Sequence, residues 1–273
     1  VAFAGKAVLF VEGEITRHPR LPDPLSTIWQ RRLVSSLSLI DIDRVVGISK
    51  KNLVAMDKAM ASNMSGTGVV PLDLLMAREL EKEDFGVAVI AWDLQPPWDP
   101  DASTCRWDEV KSLYRGLSQS EALPDKPWRR WARNRFRELS GRKKGQRKPD
   151  PPVLEVGAVL AVCMEPTFES LLIVCEQTIR RTLGVKDRGQ GKWPTWNEHL
   201  QRPEDLLQLA IKVARDVDPK PKAIKRVRGD MKTAKHEWGE YFLRHMIEDP
   251  QCLEEVRRHP TAARLVELLD RGR

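Results

Sequence analysis

The sequence predicts an α/β protein: a parallel sheet flanked by helices, with a helical C-terminal extension. Three observations carry this. The runs Ala7-Val8-Leu9-Phe10-Val11, Val87-Ala88-Val89-Ile90-Ala91-Trp92 and 157–164 are almost wholly apolar, as strands buried on both faces are. Segments of helical periodicity separate them, and alternation of this kind gives parallel strands joined by right-handed crossovers. The C-terminal third carries helical patterning alone. The expected division is an α/β domain over 1–182, with a basic helical insertion around 103–152, and a helical region over 183–273.

The elements follow in order. Strand 7–11 ends in Glu12-Gly13-Glu14, and the proline-rich segment 18–24 is a loop. Ser26 stands at a helix N-cap position before the stripe Ile28, Trp29, Leu33, Val34 and Leu37. A second strand covers 44–48, with Lys50 and Lys51 just past its end. The small, polar residues 61–68 form a loop, and Pro71 suits the first turn of a helix that closes before Gly86. Strand 87–92 ends at Asp93, and the proline-rich stretch 95–102 is irregular. A helix near 107–117 follows, with Asp108 and Glu109 in its first turn. Helix 126–139 then places Trp128, Ala132, Phe136 and Leu139 on one face and Arg129, Arg133 and Arg137 on the other. A basic linker, 141–152, leads to strand 157–164 and a helix over 167–182. Further helices centre on Leu206 to Val217, on Trp238 to Ile247, and on 256–269, the last starting around Pro260.

The chain has 273 residues, 41% of them hydrophobic and 31% charged, with a net charge of +7. No run of about 18 apolar residues exists, so no membrane-spanning helix and no membrane partner are expected. The early break at Glu12-Gly13-Glu14 argues against a secretory signal. Cys105, Cys163, Cys175 and Cys252 are scattered without a CxxC pair, which suggests neither a zinc ribbon nor a disulfide framework and favours a reducing, cytoplasmic location. The basic excess is concentrated. Between Trp128 and Lys148 lie Arg129, Arg130, Arg133, Arg135, Arg137, Arg142, Lys143, Lys144, Arg147 and Lys148, opposed in that window by Glu138 alone. Such a stretch neutralises phosphates and releases counterions, so nucleic acid is the favoured partner and an acidic protein the alternative. Trp128 and Trp131 among the arginines are candidates to stack on bases.

The acidic residues at the strand ends carry the chemistry. Residues just past the carboxyl ends of parallel strands meet in one crevice. Glu12, Asp93 and Glu165, with Glu169 four residues further on, are placed there. Carboxylates gathered in this way repel one another unless a divalent cation sits among them. Hard cations such as Mg²⁺ or Mn²⁺ take oxygen ligands and work on phosphates.

These residues give the chain a resemblance to the TOPRIM family, over roughly residues 6–182. A strand ending in Glu12-Gly13, two α/β crossovers, a strand ending in Asp93, and a strand leading to Glu165 and Glu169 make the likeness. TOPRIM domains are the catalytic modules of topoisomerases, primases and several nucleases, among them the overcoming-lysogenization-defect type of antiviral defence. The resemblance implies a Mg²⁺-dependent hydrolase or related phosphoryl-transfer protein acting on DNA or RNA. Glu12, Asp93 and Glu169 are then catalytic, and Glu12, Asp93, Glu165 and Glu169 hold Mg²⁺ or Mn²⁺. Gln95 stands where the family has the second aspartate of an Asp-x-Asp pair, with Asp99 and Asp101 as substitutes nearby. That departure points to the alternative, a non-catalytic nucleic-acid-binding or assembly subunit of a larger complex. Candidate nucleic-acid contacts are Lys50, Lys51, Arg129, Arg133, Arg137, Arg142, Lys143 and Lys144.

Other patterns do not meet their motifs. Gly189-Gln190-Gly191-Lys192 lacks P-loop spacing, and His18, His199, His236, His245 and His259 show no HExxH arrangement.

Overall fold

The computed structural model describes residues 5–13, 27, 40–56, 69–93, 106–141, 153–164, 169–185, 193–196, 202–217, 219–260 and 262–263. Four strands form its sheet: β1 (Gly5–Glu12), β2 (Ile40–Ile48), β3 (Val87–Asp93) and β4 (Ala158–Met164). All pairings are parallel, in the order β2-β1-β3-β4. The expected α/β class is the observed one, with helices on the sheet and helices at the C-terminus. Two inner strands explain the apolar runs. Ala7 to Val11 of β1 and Val87 to Trp92 of β3 are buried along their whole length, because each strand is paired on both edges and covered on both faces.

The edge strand β2 starts at Ile40, earlier than the expected 44. Its first half alternates: Ile42 is buried while Asp41 and Asp43 are exposed. A half-exposed edge strand therefore does not read as an apolar run. The other edge, β4, is sealed by side chains. The Val159 carbonyl accepts from Tyr114 Oη at 2.8 Å and from Trp131 Nε1 at 3.0 Å.

The first helices are α1 (Lys50–Val54), α2 (Leu72–Leu80), α3 (Arg106–Gln119) and α4 (Arg130–Ser140). α4 starts four residues later than expected, after a π-type turn over Asp125–Arg129. Lys126 lies in an extended conformation (φ −118°, ψ 137°), where a residue preceding proline is pushed. Gly157 approaches this turn closely. Its φ is +86°, and a Cβ there would lie 2.2 Å from Pro127.

The expected helix over 167–182 is two helices, α5 (Glu169–Leu172) and α6 (Glu176–Leu183). Leu171, Leu172, Ile173 and Cys175 are all buried. That is more consecutive apolar burial than one helix face supplies, and the chain breaks between them. The C-terminal helices are α7 (Pro203–Arg215), α8 (Lys222–Arg226), α9 (Lys235–Ile247) and α10 (Pro250–Arg258). α10 begins at Pro250, ahead of the expected start near 256–260. Pro250 occupies its first turn, and the Asp249 side chain accepts from the Gln251 and Cys252 N–H groups.

Buried residues from β1 through to Ala262 form one continuous core, to which Ile179, Leu206, Leu207, Trp238 and Phe242 contribute alongside the sheet. The expected helix at 28–37, the loop 61–68, the linker residues after Gly141 and the chain from 264 onward lie outside the described residues. No helix among the described residues is long and apolar enough to cross a membrane.

Candidate functional site

Strand order fixes the crevice. From β1 the chain passes to β2 on one side, then crosses back over β1 to β3 on the other. The reversal lies between β1 and β3, where open parallel sheets form a ligand crevice at their carboxyl edge. Glu12 ends β1 and Asp93 ends β3. The turn after β1 is made by Gly13, with φ +144° and its N–H donating to the Ile48 carbonyl at 3.0 Å. L-residues avoid that φ, so the glycine of the Glu12-Gly13 pair is required by the backbone.

The Asp93 N–H donates to Glu12 Oε2 at 2.8 Å. Burial pushes the Glu12 carboxyl above the usual carboxylate range, and the nearby charge of Glu169 adds to this. The Asp93 N–H and Lys50 pull it the other way. Lys50 opens α1 directly after β2. Its turn is fixed by Asn52, whose Oδ1 accepts from the Ser49 N–H at 2.6 Å and whose Nδ2 donates to the Val70 carbonyl at 2.8 Å. Lys50 Nζ donates to the Asp93 carbonyl at 3.3 Å and to Glu109 Oε1 at 2.9 Å. Glu109 Oε2 in turn accepts from Trp92 Nε1 at 2.6 Å. Glu109 is thus a site residue that no motif in the sequence marks, although it lies in the acidic first turn of α3. Lys51 is exposed on α1.

Glu169, the first residue of α5, is only 7% exposed. Its Oε1 is 2.8 Å from Lys235 Nζ of α9, and the same ammonium pairs with Glu204 of α7. Burial works against the Lys235 charge, but Glu169 and Glu204 more than offset it and hold its pKa above the ordinary lysine value. The C-terminal helices therefore supply part of the crevice. Lys235 sits in no motif of the sequence, so no local signal marked it.

The donors suit a hard cation in their chemistry. Glu169 is a buried and Glu12 a half-buried carboxylate, within electrostatic reach of each other, and Glu169 Oε2 is buried with no hydrogen-bond partner among the described residues. Among the described residues no group of three or more His, Cys, Asp or Glu side chains is placed to hold a metal ion. Glu14, Gln95, Asp99, Asp101 and Glu165 lie outside them.

The basic helix differs from expectation in its aromatic residues. Trp128 and Trp131 are both buried, and Trp131 is tied to β4, so neither presents a stacking surface. The arginines are partly engaged as well. Arg129 donates to the Ser120 carbonyl at 2.8 Å, and Arg129 and Arg133 lie 3.3 and 3.2 Å from Asp125 Oδ1. Asp125 precedes the window in which the charge run looked nearly unopposed. Arg135 pairs with Glu138, while Arg130 and Arg137 are exposed. Arg142, Lys143 and Lys144 lie outside the described residues.

The fold and site together define an α/β protein with an acidic, lysine-bridged crevice at the switch point of a parallel sheet. Comparison with protein-family models, curated proteins and solved structures finds no match for this chain.

Proposed function

We propose that this protein is a Mg²⁺-dependent nuclease or related phosphoryl-transfer protein acting on nucleic acid, with Glu12, Asp93 and Glu169 as its central carboxylates. The observation that carries the reading is the juxtaposition of Glu12 and Asp93 at the switch point, with the Glu12 carboxyl half-buried and disfavoured as an anion. Glu12, Asp93 and Glu169 are not grouped to hold a metal as they stand; in this reading they would close on Mg²⁺ or Mn²⁺, with Glu165 as a further ligand. A cation held there would supply Lewis-acid polarisation of a phosphoryl oxygen and would acidify water. The Asp93 N–H orients Glu12 through Oε2. Lys50 holds the Asp93 carbonyl and Glu109, fixing the end of β3. Exposed Lys51, Arg130 and Arg137, with Arg142, Lys143 and Lys144, supply sequence-independent attraction to phosphates.

A specific observation favours a second reading, a non-catalytic nucleic-acid-binding or assembly subunit. Lys235 and Lys50 already neutralise Glu169 and Glu109 from within the chain. The two readings separate on incubation of the wild type with single- and double-stranded DNA and RNA in Mg²⁺, Mn²⁺ or EDTA. Cleavage that EDTA stops and added metal restores supports the enzyme. Retention of nucleic acid without cleavage under any metal supports the subunit, and neither binding nor cleavage overturns both.

A further inference from the structure

Two of the four cysteines, 77 positions apart in sequence, meet where α6 and α10 begin. Cys175 is the N-cap residue of α6, and Cys252 lies in the first turn of α10. Cys175 Sγ is 3.3 Å from the Cys252 carbonyl oxygen, and both residues are buried as free thiols. Both line a cavity of about 270 Å³, whose wall includes Thr178, Trp196, Asp249 and Glu255. That volume is close to the lower end of small-ligand pockets, enough to admit one arm of a small reagent.

We propose that Cys175 and Cys252 form an oxidisable dithiol, a modification site at which a small disulfide entering this cavity is reduced and an intramolecular disulfide is formed. In the first step the Cys252 sulfur attacks the small disulfide, the S–S bond of that disulfide breaks as the mixed disulfide forms, and the Cys252 proton leaves with the released small thiol. In the second, the Cys175 sulfur attacks the Cys252 sulfur, and the Cys175 proton leaves with the second small thiol. Two protein thiols lose two electrons, and one small disulfide becomes two thiols. The order follows from the environment. The neighbouring Cys252 side chain, then burial, then Glu255 push the Cys175 thiol above its ordinary pKa, so Cys252 attacks first. Once Cys252 is tied up in the mixed disulfide its push on Cys175 is gone, and Cys175 can release its proton and resolve the link. Thiolate supply limits such exchange, so the reaction accelerates with pH. The cross-link ties the α5–α6 junction, six residues beyond Glu169, to α10.

The test treats the folded full chain with 2-hydroxyethyl disulfide at pH 7.5 and pH 9. The products are followed by intact mass and by non-reducing peptide mapping. Circular dichroism confirms that the protein stays folded. The expected product is two hydrogens lighter, carries a Cys175–Cys252-linked peptide, forms faster at pH 9, and melts at a higher temperature than the reduced form. A Cys105→Ser, Cys163→Ser double variant should form the same link, and Cys252→Ser should abolish it. Folded protein that yields no such link at either pH, or links only through Cys105 or Cys163, overturns the proposal.

Discussion

The main-chain N–H of Asp93 donates to the carboxylate of Glu12 across the boundary between β3 and β1, at 2.8 Å. This bond binds the ends of two adjacent parallel strands and presents two acidic residues at one point of the sheet. It also sets a conflict. Glu12 is held in place by a hydrogen bond that favours its anion, in surroundings whose burial and Glu169 charge disfavour it.

That conflict predicts a pH-dependent stability. The folded pKa of Glu12 is raised, so its ionisation opposes folding at pH above that value. The penalty fades as pH falls towards the ordinary carboxylate range, about 4. Glu12→Gln keeps an oxygen to accept the Asp93 N–H and carries no charge. In EDTA its Tm should exceed that of the wild type at pH 7.5, and the two should converge near pH 4. A Tm lowered at pH 7.5 would show that the Glu12 charge is stabilising.

Lys235 and Glu169 should behave as a coupled pair. Lys235→Met leaves the buried Glu169 carboxylate without its cation and should cost about 1–2 kcal/mol. The cost is below that of a fully enclosed pair because Lys235 retains contact with water. Glu169→Gln on top of Lys235→Met should recover part of the loss. A denaturant-unfolding double-mutant cycle checks this, and strict additivity would show the pair to be uncoupled.

The basic helix should divide into structural and binding arginines. Arg129→Ala removes a charged donor from the Ser120 carbonyl and should cost about 1–2 kcal/mol. Arg137→Ala, at an exposed position, should stay within about 0.5 kcal/mol of the wild type. If α4 is the nucleic-acid surface, replacing Arg133 and Arg137 together should weaken binding and flatten its salt dependence. Unchanged affinity across a salt titration would place the surface elsewhere.

Asp249 joins α6 to α10. It caps α10 through the N–H groups of Gln251 and Cys252, accepts from Thr178 Oγ1 at 2.6 Å, and pairs with Arg181. Its desolvation is outweighed by these bonds, and its pKa lies below the ordinary aspartate value. The stabilisation is therefore fully present above the unfolded pKa of about 3.9 and is lost as pH falls through the lower folded value. Asp249→Ala should cost about 1–2 kcal/mol at pH 7, whereas Asp249→Asn, still able to cap, should cost less. Chemical unfolding of both variants at pH 7 and in strong acid reads this, and equal losses at the two pH values would contradict it.

The sheet and its two central acids were legible because their causes are local. A strand buried on both faces must be nearly all apolar, and an acidic residue directly after it stands at the carboxyl edge. Glu109, Glu204 and Lys235 were not legible as site residues. Each reaches the crevice from a helix whose packing depends on distant contacts, and nothing beside Lys235 in sequence distinguishes it from a surface lysine. The stacking role offered for Trp128 and Trp131 failed for a related reason, while the packing face expected for Trp128, Ala132, Phe136 and Leu139 is the observed one. An aromatic residue among arginines has the same pattern whether it faces a nucleic acid or, as Trp131 does, donates to an edge-strand carbonyl. The split between α5 and α6 was hidden because Leu171, Leu172 and Ile173 fit a helix as well as a buried turn.

The proposed metal-dependent phosphoryl transfer turns on the carboxylate of Asp93. Cleavage and binding of one labelled nucleic-acid substrate, compared for wild type and Asp93→Asn in Mg²⁺ and in EDTA, test it most directly. The amide keeps the side-chain size and removes the charge that a hard cation requires. The expected result is Mg²⁺-dependent cleavage by the wild type, none by Asp93→Asn, and nearly equal binding by both. Cleavage by Asp93→Asn at the wild-type rate, or cleavage by the wild type that EDTA does not affect, would contradict it.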